Sequence, residues 1–188
     1  MIYIAHPECG GPIKIGHSVR PEDRAAAFSL LLHTKITILK TFDGSARSEM
    51  FLHLCFNPIS VANEWFKPCA PIWRFIDDLE DSGRPAWLRR VERNLSTPTK
   101  TKFLAQFENV KDAKIALGYS PKTALSDIFS TASERTYSIH ARLNFWRAMN
   151  EGILPSYISD LHPKVSKLTR IPISKLRPDI FGDGETSE

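Results

Sequence analysis

Apolar and polar residues alternate in two short runs near the start of the chain, 2–6 and 12–16, separated by Pro7-Glu8-Cys9-Gly10-Gly11. Alternation marks half-buried strands, and a Pro followed by Gly-Gly marks a turn, so two adjacent antiparallel strands are predicted. In the second run Ile13 and Ile15 point to one face and Lys14 to the other. Arg20-Pro21-Glu22-Asp23 reads as a helix start, with Pro in the first turn and acids complementing the dipole, and Ala25 to Leu32 supplies its body. The β-branched alternation of Lys35 to Phe42 predicts a third strand. Ser45 opens a second helix whose Phe51, Leu52, Cys55 and Phe56 face a core, while Glu49 and His53, four apart, share another side. A polar loop after Asn57-Pro58 leads to Asn63-Glu64-Trp65-Phe66. An amphipathic helix is then predicted from about Pro71 to Asp81, with Trp73, Phe75, Ile76 and Leu79 available for burial.

Pro85 to Asn94 reads as a short basic helix, and Ser96-Thr97-Pro98-Thr99-Lys100 is the clearest boundary in the chain. Beyond it the pattern is wholly helical, with segments near 101–116, 121–129, 133–151 and 156–169. The expected class is therefore α+β. A small sheet of about three strands, of mixed topology and with flanking helices, occupies 1–82, followed by a basic helix and linker at 83–100. A small all-α module spans 101–182, and 183–188 form an acidic tail.

Composition narrows the function classes. The 188 residues are 42% hydrophobic and 24% charged, as in an ordinary globular protein. The longest apolar stretch, Ala25 to Leu32, is far short of a bilayer span, and Met1-Ile2-Tyr3-Ile4-Ala5-His6 lacks a basic n-region, so a cytoplasmic protein without membrane contact is expected. Cys9, Cys55 and Cys69 form no Cys-x-x-Cys pair, which argues against a disulfide framework and a zinc signature. The 25 Lys and Arg outnumber the 21 Asp and Glu, for a net charge of +4. The excess is concentrated: nine basic residues lie between Arg84 and Lys122 against Glu92, Glu108 and Asp112, and residues 95–182 carry 13 basic against seven acidic groups. A polyanion is the natural partner of such a segment.

The order of strand, Lys-Ile-Gly strand, Arg-bearing helix, strand, Glu-x-x-x-His helix and Glu-Trp-Phe resembles the GIY-YIG nuclease superfamily, in its compact phage and bacterial branch. Met1-Ile2-Tyr3 stands where the family has Gly-Ile-Tyr. Lys14-Ile15-Gly16 stands where it has Tyr-Ile-Gly, Arg24 falls on the first helix and Glu49 on the helix after the third strand, and His53 and Glu64-Trp65-Phe66 match the branch's further pattern. The resemblance covers roughly residues 1–80. It implies phosphodiester hydrolysis with Tyr3, Lys14, Arg24 and His53 as catalytic residues and Glu49 as the ligand of Mg²⁺ or Mn²⁺. A divalent cation on one carboxylate polarises the phosphate, a guanidinium offsets developing charge, and a base removes a proton from water. It further implies that His53 or His17 contacts phosphate or water. These residues are expected to converge on one concave face of the sheet. Met1 and Lys14 depart from the family pattern at the first glycine and the second tyrosine. A lysine at position 14 serves as a base only if its pKa is lowered.

The C-terminal half resembles the Cro-type helix-turn-helix proteins of phages, on Ala113 to Gly118, Thr123 to Phe129, the Arg135 to Arg147 helix and the closing Ile171 to Phe181 segment. That likeness implies a recognition helix presenting Arg135, His140, Arg142, Asn144 and Arg147 to double-stranded DNA, with Arg142 and Asn144 leading as base readers because their planar ends can bond bidentately. Three readings stay open at this point. One is a metal-dependent DNA endonuclease of phage or prophage type, targeted by its C-terminal module and allowing a homodimer. Another is a catalytically inactive, DNA-binding prophage regulator. The third is an RNA-cleaving or RNA-binding role, although the chain displays no aromatic RNA-binding motif such as that of an RRM.

Overall fold

The computed structural model describes residues 1–79, 84–94, 99–130 and 133–162, and divides the chain into two compact units, Met1–Glu92 and Arg93–Glu188. The N-terminal unit is α+β. Strands β1 (Ile2–Pro7), β2 (Ile13–His17), β3 (Ile36–Phe42), β4 (Ser60–Ala62) and β5 (Trp65–Phe66) form one sheet in the order β3-β1-β2-β5-β4. Every pairing in it is antiparallel.

The expectation of three strands in a mixed sheet is thus corrected to five antiparallel ones. Asn63 adopts a left-handed φ of 47° that lets the chain reverse tightly between β4 and β5. The β5 strand then joins β2 through Ile13 opposite Phe66 and Lys14 opposite Trp65. Strands of two and three residues are too short to leave a readable alternation. The predicted first three strands and the two helices after them lie where the pattern put them, α1 at Pro21–Leu32 and α2 at Ala46–Phe56. Ser45 caps α2: its hydroxyl accepts from the Ser48 N–H while Ser48 Oγ accepts from the Ser45 N–H.

The alternation of β1 and β2 sorts the sheet into two faces. Ile2, Ile4, Ile13, Ile15, Phe42 and Phe66 form one, fully buried beneath α2, α3 (Ala70–Asp77) and α4 (Ala86–Asn94). Its aromatic contacts run from Phe66 to Phe56 (6.1 Å), Phe56 to Phe75 (5.3 Å) and Phe75 to Trp87 (6.0 Å). The segment expected as a basic linker therefore contributes Trp87, Leu88 and Val91 to the first core, and Glu92 accepts from Ser48 Oγ at 2.6 Å. On the other face Tyr3, Ala5 and Ile36 are covered by Ala25 and Phe28 of α1.

The C-terminal unit is helical in its described residues: α5 (Lys100–Leu104), α6 (Val110–Ala116), α7 (Leu125–Ile128), α8 (Ser133–Asn150) and α9 (Ser156–Ser159). The helix predicted over 101–116 is broken, because Asn109 caps α6 by accepting from the Asp112 N–H and so starts a new helix there. Gly118 and Gly152 take left-handed φ values of 78° and 64° after α6 and α8. At both places the next residue's N–H reaches back five residues, Tyr119 to Lys114 and Ile153 to Ala148, closing the helix in a Schellman turn. The segment beyond 162, including the rest of the predicted 156–169 helix, the Ile171 to Phe181 signature and the acidic tail, lies outside the described residues.

Phe75 is fully buried between Phe42, Phe56 and Trp87. Phe75→Ala is expected to lower the stability of the N-terminal unit by about 3–5 kcal/mol, read from the shift in its urea unfolding midpoint.

Candidate active site

Residues directly opposite in neighbouring antiparallel strands share a face, so the pairs Tyr3 with Gly16, Ala5 with Lys14 and Lys14 with Trp65 gather Tyr3, Lys14, Gly16 and Trp65 beneath α1. Gly16 is required here by space. A Cβ built on it would lie 2.6 Å from the Cζ and hydroxyl oxygen of Tyr3, so the phenol ring crosses directly over the glycine.

Lys14 is 2% exposed, and its Nζ donates to Glu64 Oε2. The ammonium also lies 4.5 Å from the centre of the Phe28 ring and 5.3 Å from that of Trp65. A buried cation is tolerated only when its charge is matched, and here one carboxylate and two ring faces match it. Glu64 itself is half-exposed and carries the pair's negative charge to the rim.

Arg24 extends from α1 with its guanidinium 5.7 Å from the Phe28 ring. Burial pushes the Tyr3 phenol above its ordinary pKa, and the nearby Glu64 carboxylate adds to the rise. Arg24 opposes it, and the Glu49 carboxylate raises it further. Glu49 approaches from α2, on the other side of the sheet, and accepts the His17 backbone N–H at 2.9 Å where β2 ends. At the end of β2, His17, Ser18, Val19, Arg20, Asp23 and Arg24 line an open depression.

The expectation that all five residues converge on one concave face is corrected: Tyr3, Lys14 and Arg24 belong to the α1 side, whereas Glu49 and His53 lie on α2 against the opposite face, Glu49 accepting the His17 N–H where β2 ends. His53 is directed elsewhere: its Nε2 bonds the Ile15 carbonyl at 2.9 Å and its ring lies 5.4 Å from that of Phe66, on the α2 side. Glu64 and Phe28, which complete the setting of Lys14, were not singled out from the sequence as site residues. The available signal was Lys14 itself, since a lysine pointing to a covered sheet face needs an acid on a neighbouring strand.

A magnesium ion fits Glu49, which commits Oε1 to a backbone N–H and has a second oxygen with which to ligate. Among the described residues no three His, Cys, Asp or Glu side chains form a metal cluster. A single carboxylate suits a hard cation that keeps most of its waters, and does not suit a structural zinc ion.

In the C-terminal unit the expected base readers are placed differently from the expectation. Ile139, Ala141, Leu143, Asn144, Trp146, Ala148 and Met149 are all buried, so α8 is wrapped on several sides. Asn144 lies inside, its Oδ1 without a hydrogen-bond partner among the described residues. Arg142 donates to the Leu117 carbonyl at 2.7 Å, closing the end of α6, and packs against Gly118 and the Tyr119 ring. Arg147 pairs with Glu151 at 2.7 Å, His140 is half-buried, and the side chain of Arg135 lies outside the described residues. Arg142 and Asn144 do not stand out from the surface as groove readers, because the buried Ile139, Ala141, Leu143 and Trp146 around them draw that stretch of α8 into the core.

No family model matches the chain, no curated protein matches it, and no solved structure matches it.

Two outcomes follow from this geometry. Raising the native pKa of Tyr3 means that the folded state holds the phenolic proton more tightly than the unfolded chain does. Its contribution to stability is therefore level below about pH 10 and falls as the pH rises beyond that. In urea titrations from pH 8 to about 11, wild type is expected to lose stability faster above pH 10 than Tyr3→Phe. For Arg142, alanine substitution is expected to lower the stability of the C-terminal unit by about 1–3 kcal/mol, measured by urea unfolding, because the Leu117 carbonyl loses its charged donor.

Proposed function

We propose that the protein is a metal-dependent endonuclease of the GIY-YIG type that hydrolyses phosphodiester bonds in double-stranded DNA. The observation that carries this reading is that Tyr3 opposite Gly16, Glu49 on the His17 N–H and Arg24 beside the depression that His17 lines all lie at one end of the sheet. Phosphodiester hydrolysis needs a cation-binding carboxylate, a charge to offset the transition state and an oriented hydroxyl or base beside the scissile phosphate. Glu49 would hold Mg²⁺ or Mn²⁺, and the bound ion supplies neutralisation of the phosphate and of the leaving oxygen.

The chain's own residues divide the remaining tasks. Arg24, exposed and beside the depression, faces the phosphate with a planar set of donors. Tyr3 stays protonated near neutral pH, so it orients oxygen atoms by hydrogen bonding. Lys14 holds Glu64 at the rim, and His53 braces β2 through the Ile15 carbonyl. Attraction to DNA comes from exposed lysines, among them Lys100, Lys102, Lys111 and Lys122 of the basic segment. The burial of Lys14 favours the second reading, a DNA-binding prophage regulator without cleavage, since that ammonium is covered and paired.

Supercoiled plasmid with Mg²⁺ or Mn²⁺ separates the two. Under the endonuclease reading, wild type converts it to nicked or linear product, EDTA stops the reaction, and Glu49→Ala and Arg24→Ala each lower the rate by about 10²-fold or more. DNA binding without any metal-dependent cutting would leave the regulator. In either case Lys100→Ala with Lys102→Ala is expected to weaken binding on all sequences alike, flattening the salt slope by roughly one unit for each phosphate that the protein no longer neutralises.

A further inference from the structure

Helix α4 turns Leu88 and Val91, both buried, and Trp87 into the first core. At about 3.6 residues per turn, Arg89, Arg90 and Arg93 then fall within one arc of about 100° on the side directly away from that core. Arg90 and Arg93 are exposed and Arg89 is half-exposed. Most cations of this unit that lie near a carboxylate are matched: Lys14 with Glu64, Arg20 with Asp23, Lys35 with Glu8 and Arg84 with Glu92. The three arginines of α4 are different. Among the described residues none of them has a carboxylate partner, and the exposed Asp43, Asp77 and Asp78 form no pair with them. Glu92, the acid on the same helix, is taken up by Arg84 and by Ser48 Oγ. Like charges three and four residues apart repel, so this stripe weakens the helix that carries it unless an anion lies along it.

The stripe belongs to the same end of the sheet as the candidate active site. Ser48, the residue before Glu49, donates to Glu92 Oε1 at 2.6 Å, and Arg84 donates to the carbonyl of Asp43, which follows β3. Phe42 at the end of β3 and His17 at the end of β2 both pair with Ile2, so these contacts lie along one edge. Arg24 stands on the α1 side of that edge and α4 on the α2 side. Helices about 10 Å across on the two sides of a sheet place these charges roughly 20 Å apart. A single phosphate cannot meet both. A nucleic-acid strand, with one phosphate for about every 3.4 Å of axis, covers that span with about six. Arginine also suits the task, because its planar fork of donors matches a phosphate's oxygen atoms.

Resting on the reading of the chain as a protein that acts on DNA, we propose that the outer face of α4, through Arg89, Arg90 and Arg93, holds the phosphate backbone of the duplex beside the candidate active site. These contacts carry no sequence information and fix the position of the backbone instead. They lie apart from the exposed lysines of α5, α6 and the turn after α6, which gives the two sets of charges separable effects.

Fluorescence anisotropy of the full chain on a labelled DNA duplex, in EDTA and over about 50 to 300 mM NaCl, tests this without any cutting. Arg90→Gln with Arg93→Gln is expected to flatten the salt slope by roughly two units and to weaken binding at 100 mM by about tenfold or more, on every sequence alike. Its thermal midpoint is expected to stay at or above that of wild type, since both side chains are exposed and repel each other. Arg90→Lys with Arg93→Lys keeps the charges and is expected to hold the wild-type slope. Lys35→Gln with Lys67→Gln removes the same net charge at the sheet's other end, where Ile36 pairs with Pro7 and Phe66 with Ile13, and is expected to leave the slope nearly unchanged. Equal effects of the two glutamine pairs, or an unchanged slope with the arginine pair, would overturn the α4 contact while leaving the DNA reading in place. A wild type without affinity for the duplex in low salt would overturn both.

Discussion

The burial of one ammonium organises the N-terminal unit. Lys14 is on a strand that is covered on both faces, and an unpaired charge there would cost several kcal/mol. Its match comes from three places distant in sequence: the carboxylate of Glu64, the ring of Trp65 and the ring of Phe28. Glu64 and Trp65 reach Lys14 only because the chain reverses at Asn63 and lays β5 against β2. Phe28 reaches it only if α1 lies across the sheet. The fourth and fifth strands and the seating of α1 are therefore tied to the same side chain. The pair also sets the electrostatics of the neighbouring phenol, because Glu64 is the charge that Tyr3 senses most strongly.

The layers on either side of the sheet then decide where chemistry can occur. Neither face is open, since α1 covers one and α2, α3 and α4 cover the other. Polar groups of both layers border the end of β2. There the His17 N–H is bonded by Glu49, while Arg24 rises from the first turns of α1 on the other side of the sheet. A carboxylate and a guanidinium on helices of opposite layers are held in place by the sheet between them, which gives the pair a rigid support.

The C-terminal unit follows a different logic. Its longest described helix, α8, supplies core residues around much of its circumference, with Trp146 stacked 4.9 Å from Phe107 and bonded through its indole N–H to Gln106. Arg142 is drawn into capping α6, a structural task that uses the same planar donors that would suit a guanine edge. The basic character of the segment persists on α5 and α6 and the turn after them, where Lys100, Lys102, Lys111 and Lys122 are exposed.

Much of this was legible in the residues. The alternation at 2–6, 12–16 and 35–42, the Pro21 start of α1 and the Ser45 cap of α2 are local signals, because each depends on neighbours within one turn or one strand. The placement of Tyr3 and Lys14 on one side of the sheet was equally readable from the period of two in the strands. Three things were not readable. The β4–β5 hairpin is too short to show a period. The exposed Leu30 and Leu31 of α1 look like ordinary helical core, because apolar residues on both sides of a helix read alike when the position of the sheet is unknown. His53 and Arg142, polar residues on helices, carry no local mark of the carbonyl each will bond. The elements and the face on which each strand residue falls follow from the residues alone, since those depend on backbone geometry repeated every few residues. Which carboxylate meets Lys14, which helix stays uncovered and which polar side chains are committed inside came from the folded chain, because those depend on contacts between residues as far apart as Lys14 and Glu64, 50 positions.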